Sequence, residues 1–125
     1  MGEYAVVEVR HYRGGQTLRD DAMGRIGEKV ALLESEFLIW DKLIYRFPSY
    51  EVACYPVPQE EGEVVVPWER RSNFYGFGID RAVIDVLYVT PLNEEGPRYQ
   101  FEVVDNELWY FSDGWFYRME RVADP

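Results

Sequence analysis

The sequence predicts a mainly β domain, an antiparallel meander barrel of about eight strands with one short N-terminal helix. Three observations predict it. Apolar residues alternate with polar ones over short stretches. Turn signals rich in Gly, Pro and Asp separate those stretches every few residues. The aromatic residues, 7 Phe, 4 Trp and 10 Tyr, concentrate inside them. At 125 residues the chain has room for one domain, 1–125. Its 47% hydrophobic content is enough for a core and excludes a disordered chain.

Tyr4 to Tyr12 carries Ala5, Val7 and Val9 on one side of a period-two alternation and Glu8 and Arg10 on the other, as a half-buried strand does. Gly14-Gly15 ends it. Thr17-Leu18-Arg19-Asp20 reads as a capping box, and Leu18, Ala22 and Ile26 give a short amphipathic helix, a lid or plug, stopped near Gly24 and Gly27. Strand signals follow at Lys29 to Leu33, Phe37 to Trp40, Leu43 to Phe47 and Tyr50 to Val57. Turns are expected at Glu34-Ser35, Asp41-Lys42 and Pro48-Ser49. Pro56 to Gly62 has loop composition, Val64 to Trp68 is an edge strand or extended connector, and Glu69 to Gly78 is an irregular or helical turn. Ala82 to Thr90 is apolar on both faces apart from Asp85. After the polar loop Pro91 to Arg98 come Tyr99 to Val104, Leu108 to Ser112 and Trp115 to Val122.

Asp113-Gly114 between two aromatic runs is a strong hairpin signal, because a type I′ turn needs positive φ at both central residues. A two-residue turn there sets Phe111 opposite Phe116, Tyr110 opposite Tyr117, Trp109 opposite Arg118 and Leu108 opposite Met119. Leu108, Tyr110, Tyr117 and Met119 then share the interior face. Trp109, Phe111, Phe116, Arg118 and Glu120 share the outer one, which ends in charges.

Acidic residues number 23 and Lys plus Arg 13, a formal net charge of −10 that repels phosphate backbones. This charge argues against nucleic acid and an anionic membrane face as partners, and no apolar run approaches the length of a membrane helix. Cys54 is the single cysteine, so neither an internal disulfide nor a cysteine zinc site is available. It sits between Ala53 and Tyr55 in an apolar strand and is expected to be buried and inert. His11, the single histidine, lacks a surrounding catalytic motif and reads as structural or solvated. No nucleophile elbow, P-loop, zincin or EF-hand pattern occurs. The expectation is a non-enzymatic protein without cofactor or metal. The N-terminus lacks the basic and apolar regions of an export signal, which predicts cytoplasm if Met1 is the native start and export if a leader precedes it.

Several segments resemble small bacterial lipocalin-like, calycin-type proteins of poorly defined function. They are Phe74-Tyr75-Gly76-Phe77-Gly78-Ile79-Asp80, Ala82 to Val89, Phe101 to Asp105 and the hairpin Leu108 to Tyr117, with Ile26 to Val30 and Pro48 to Val52 upstream. The resemblance covers nearly the whole chain and rests on structural motifs of a barrel meander. Tyr4 stands where that family often carries Trp. The resemblance implies a lipocalin-like barrel, a cup for a small, mostly apolar molecule.

Two sets of candidate residues follow. Tyr50, Asp85, Tyr88, Tyr99, Phe101, Tyr110 and Tyr117 fall where inward placement would line a ligand cavity, Tyr supplying a flat apolar body and one hydroxyl. If Asp85 faces inward it needs a partner, and Arg residues are the candidates. The competing reading is a protein-interaction or inhibitor-type surface. It places a basic protein, or a second copy in a homodimer, on the acidic loop of Glu60, Glu61 and Glu63 and the outer aromatics Trp109, Phe111 and Phe116, with Glu94 and Glu95 as a second acidic loop.

Overall fold

The computed structural model describes residues 2–12, 14–56 and 83–122. Among them, nine strands and one short helix follow the order β1 (Gly2–His11), α1 (Arg19–Met23), β2 (Lys29–Leu32), β3 (Glu36–Ile39), β4 (Lys42–Arg46), β5 (Ser49–Pro56), β6 (Val83–Thr90), β7 (Tyr99–Val104), β8 (Glu107–Ser112) and β9 (Trp115–Arg121). All pairings are antiparallel, in one sheet ordered β4-β3-β2-β1-β9-β8-β7-β6-β5. The chain thus begins at the centre of the sheet, meanders out to one edge, restarts at the far edge and meanders back to close on β1.

The sheet curls into a half-barrel. Phe37 on β3 meets Tyr99 and Phe101 on β7 at ring-centroid distances of 5.2 and 6.0 Å, although four strands separate β3 from β7 in the sheet order. Only strong curvature brings those rings together. No ladder joins the edges β4 and β5 among the described residues. Side chains span the interval instead: the Tyr50 hydroxyl donates to the carbonyls of Leu33 (2.7 Å) and Glu36 (3.1 Å). The Tyr45 hydroxyl donates to the carbonyl of Pro97 at 2.6 Å, and the Arg46 amide to Glu94 Oε2 at 3.0 Å. Gly96 lies so close to the Tyr45 ring that a Cβ there would collide with it.

The closing hairpin forms as its turn chemistry dictates. Asp113 (φ 48°) and Gly114 (φ 84°) both adopt positive φ, and the pairs are Phe111 with Phe116, Tyr110 with Tyr117, Trp109 with Arg118 and Leu108 with Met119. The turn between β3 and β4 uses the same backbone chemistry one residue earlier than expected, at Trp40 (φ 54°) and Asp41 (φ 63°).

The first strand corrects the predicted alternation. Its buried residues are Val6 and Val9, and Val7 is exposed. A β-bulge between Val6 and Glu8 inserts one residue against β9, which reverses the phase of the alternation halfway along the strand. The helix also differs. Thr17 makes no side-chain cap; Leu18 is the N-cap residue, and α1 buries only Ala22, leaving Leu18 and Ile26 exposed. Thr17 is engaged elsewhere, its backbone amide and hydroxyl each donating to Asp113 Oδ2 at 2.6 Å, with the Gln16 amide donating to the same oxygen at 3.0 Å. Trp115 Nε1 donates to the Thr17 carbonyl at 3.1 Å. The hairpin carboxylate therefore ties the helical segment to the end of the sheet. Gly15 is required there, since a Cβ would collide with the Asp113 backbone.

Candidate functional site

Strand alternation and register place one set of side chains on the concave face. Buried there are Val6 and Val9 of β1, Val30, Phe37 and Tyr45 of β2 to β4, Leu87 and Val89 of β6, Phe101, Leu108, and Tyr117 and Met119 of β9. Tyr50, Tyr99, Val103, Tyr110 and Trp40 pack against this cluster and are only partly buried. The rings form a continuous series: Phe101 to Tyr110 at 5.0 Å, Tyr110 to Tyr117 at 6.2 Å and Trp40 to Tyr117 at 4.9 Å. The Arg25 guanidinium stands 5.1 Å from the centre of the Trp40 ring and pairs with Glu28 at 2.9 Å, so the segment after α1 reaches the rim of this wall.

Burial is not uniform along the face. On β5 the residues that share it are Tyr50, Val52 and Cys54, opposite Val89, Leu87 and Asp85. Val52 is 62% exposed. Cys54 is exposed as well, which corrects the expectation of a buried thiol; an edge strand has no neighbour beyond it to cover its inner face. Cys54 Sγ donates to Asp85 Oδ1 at 2.9 Å. This hydrogen bond, ahead of burial, raises the thiol pKa and keeps Cys54 protonated and weakly nucleophilic. Asp85 therefore lies on the concave face, with a thiol rather than the expected guanidinium as its donor.

Of the residues expected to line a cavity, the structure brings Tyr50, Asp85, Tyr99, Phe101, Tyr110 and Tyr117 to the concave face. Tyr88 is the exception. It follows Leu87 in an unbroken strand and so points the opposite way, into a convex cluster with Ile84 and Val86. There its hydroxyl lies 2.6 Å from that of Tyr55 and the Arg98 guanidinium stands 4.0 Å from its ring centre. Burial raises the pKa values of Tyr45 and Tyr117. It pushes Tyr50 up to about 12, against the opposing hydrogen bond to the Leu33 carbonyl.

The expected outer aromatic surface is corrected too. Phe111 and Phe116 do face outward, but they are 5% and 2% exposed, and Trp109 is half-buried. Phe116 packs edge-on against Phe111 at 5.0 Å and Trp109 at 5.3 Å, while Tyr12 covers Phe111 at 5.4 Å. Beside them Arg118 joins Glu8 (2.8 Å), Glu107 (2.6 Å) and Glu120 (3.1 Å), contacts that hold its pKa above the usual arginine value. These rings pack against one another on the convex side and offer little free surface. Glu60, Glu61 and Glu63 lie outside the described residues. So do the expected connector Val64 to Trp68 and the turn Glu69 to Gly78.

No family model, curated protein or solved structure matches this chain. The geometry of the site therefore carries the functional argument. Among the described residues, no group of three or more His, Cys, Asp or Glu side chains is placed to hold a metal ion, and no helix is long and apolar enough to cross a membrane. His11 is exposed and stacks on Trp115 at 4.7 Å. Among the described residues, one open depression is lined by Asp105, Asn106, Glu107, Glu120 and Arg121, and another by Thr17, Asp20, Asp21, Gly24, Arg25 and Glu28. Neither has the apolar lining of a typical small-molecule site.

Sequence reasoning missed two kinds of residue. Trp40 reaches the concave wall only because the β3–β4 turn begins at Trp40, one residue before the polar Asp-Lys pair that marked it. Phe47 and Leu92 are 61% and 64% exposed in connections where turn chemistry calls for polar residues. An apolar residue inside Arg46-Phe47-Pro48-Ser49 and inside Pro91-Leu92-Asn93-Glu94 was the available signal.

Proposed function

We propose that this chain is a non-enzymatic binding module of lipocalin-like type that takes a small apolar or amphipathic molecule against its concave aromatic face. One observation carries the reading. Tyr99, Val103 and Tyr110 point to the same side as fully buried Phe37 and Phe101 yet keep solvent access, and Val52 beside them is largely exposed. An aromatic wall that is packed at its base and open along one side offers rings for stacking and tyrosine hydroxyls for orientation. Asp85 and Cys54 at the β5 side supply a polar end, which suits an amphipathic molecule better than a pure hydrocarbon.

Native mass spectrometry of the purified chain, together with displacement of an apolar fluorescent reporter, tests this. A bound mass or saturable reporter binding is expected, weakened about tenfold in Tyr110→Ala, a loss of the size that removing one stacking ring produces. Thermal unfolding of the variant separates lost binding from lost folding. A chain that carries no added mass and binds no reporter saturably sinks the proposal.

A further inference from the structure

Three connections meet beside the interval between the edge strands. The Phe47 amide donates to the Ser35 carbonyl at 2.9 Å, which fixes the β4–β5 turn on the β2–β3 turn. The Arg46 amide donates to Glu94 Oε2, which fixes it on the β6–β7 loop. The three connections joined in this way carry Leu33, Phe47 and Leu92, large apolar side chains with substantial exposure.

Phe47 is unusual in a second way. Its φ of 48° lies in the left-handed region, which a bulky L-residue adopts only when the surroundings impose it. Asn or Gly would fit this backbone without strain, yet the position carries a phenyl ring that packs little and faces water. Strain of this kind, retained at an exposed apolar residue, points toward a use outside the fold. The carboxylates beside it are Glu34, Glu94 and Glu95, all exposed, and half-buried Glu36. The neighbouring cations are Arg46 and Arg98, the latter occupied by the Tyr88 ring.

We propose that Leu33, Phe47 and Leu92 form a docking surface for a basic protein segment that presents an apolar side chain flanked by Lys or Arg. Charge decides the occupant. A second copy of this chain would bring its own carboxylates against Glu34, Glu94 and Glu95 in a protein of net charge −10, whereas a cationic partner is drawn to them. The surface is preorganised, since hydrogen bonds from the Arg46 and Phe47 amides and from the Tyr45 and Tyr50 hydroxyls already hold its three connections.

The test uses the intact chain and two synthetic peptides of equal length, one alternating Lys with Leu and the other Lys with Ser, titrated while backbone amide shifts are followed by NMR. The Lys-Leu peptide should shift the amides of residues 33–36, 46–47 and 92–95 and bind more weakly as salt rises. Phe47→Asn should lose about tenfold in affinity, as removal of a central aromatic anchor does, while unfolding no more easily than the parent, because Asn tolerates the left-handed backbone. Joint replacement of Glu34, Glu94 and Glu95 by Gln should flatten the salt dependence. Equal binding of both peptides, unchanged affinity in Phe47→Asn, or shifts spread over other acidic surfaces would overturn the assignment. Sedimentation showing self-association lost on the same Phe47 change would replace the basic partner by a second copy.

Discussion

The two faces of the sheet are both rich in aromatic rings, and they use them differently. On the convex side Phe111 and Phe116 bury almost completely, Trp109 leans on Phe116, and Arg118 ties Glu8, Glu107 and Glu120 alongside. On the concave side Phe37 and Phe101 are fully buried, and beside them Tyr50, Tyr99 and Tyr110 keep partial solvent access. Phenyl rings gain nothing from water and are packed to exclude it. A tyrosine has a hydroxyl that must be bonded or solvated, so a tyrosine wall tolerates an open side. Aromatic content therefore does not mark a binding surface; the combination of rings, hydroxyls and incomplete cover does.

The sharpest way to break this contrast is to truncate one ring on each face. Phe101→Ala and Phe116→Ala should each destabilise the fold by about 3–5 kcal/mol in denaturant unfolding, because each removes a buried ring and leaves a cavity. A loss below about 1 kcal/mol for Phe116→Ala would mean that the convex rings are a surface patch after all.

Next in size is the carboxylate that joins the hairpin to the helical segment. Asp113→Ala removes the acceptor for the Gln16 and Thr17 amides and the Thr17 hydroxyl, and places a β-carbon residue without turn chemistry at φ 48°. It should cost about 2 kcal/mol, whereas Asp113→Asn, which suits the turn and retains one acceptor, should cost about half of that. Hydrogen exchange should quicken at residues 16–23 in the alanine variant. If only the hairpin amides respond, the carboxylate does not anchor that segment.

Arg118→Ala should cost about 1 kcal/mol at low salt and less at high salt, since its side chain is 28% exposed and its partners more so or similar. A salt-independent loss would assign its contribution to packing of the aliphatic stem on the convex rings.

The smallest effect concerns pH. Burial raises the Tyr50 pKa to about 12, so the native state holds this proton more tightly than the unfolded chain does, whose tyrosines titrate near 10. Stability from this group is complete below the unfolded value and declines as pH rises from about 10 toward 12. Tyr50→Phe should flatten that part of the stability curve while losing the hydrogen bonds to Leu33 and Glu36, a cost of about 1 kcal/mol at neutral pH. An unchanged alkaline slope would remove Tyr50 from the seal between the sheet edges.

Much of the fold was legible because its signals are local. Asp113-Gly114 specified a turn type, the turn type specified the register, and the register assigned Tyr110 and Tyr117 to one face and Phe111 and Phe116 to the other. Alternation along β6 likewise sets Asp85, Leu87 and Val89 on one face and Tyr88 on the other. The bulge at Val7 was not legible, since it answers to pairing with β9, more than a hundred residues later in the chain.

By itself, the sequence determined the antiparallel meander, its main strands and the register of the closing hairpin, because backbone preferences of neighbouring residues are enough for those. Only the tertiary structure decided how far each face is covered. Burial of Phe116, exposure of Cys54 and Val52, and the strained, solvent-facing ring of Phe47 depend on which distant elements arrive at each point and which edge is left without a neighbour. Alternation tells a side chain which way to point; only the curvature of the whole sheet determines what it meets there.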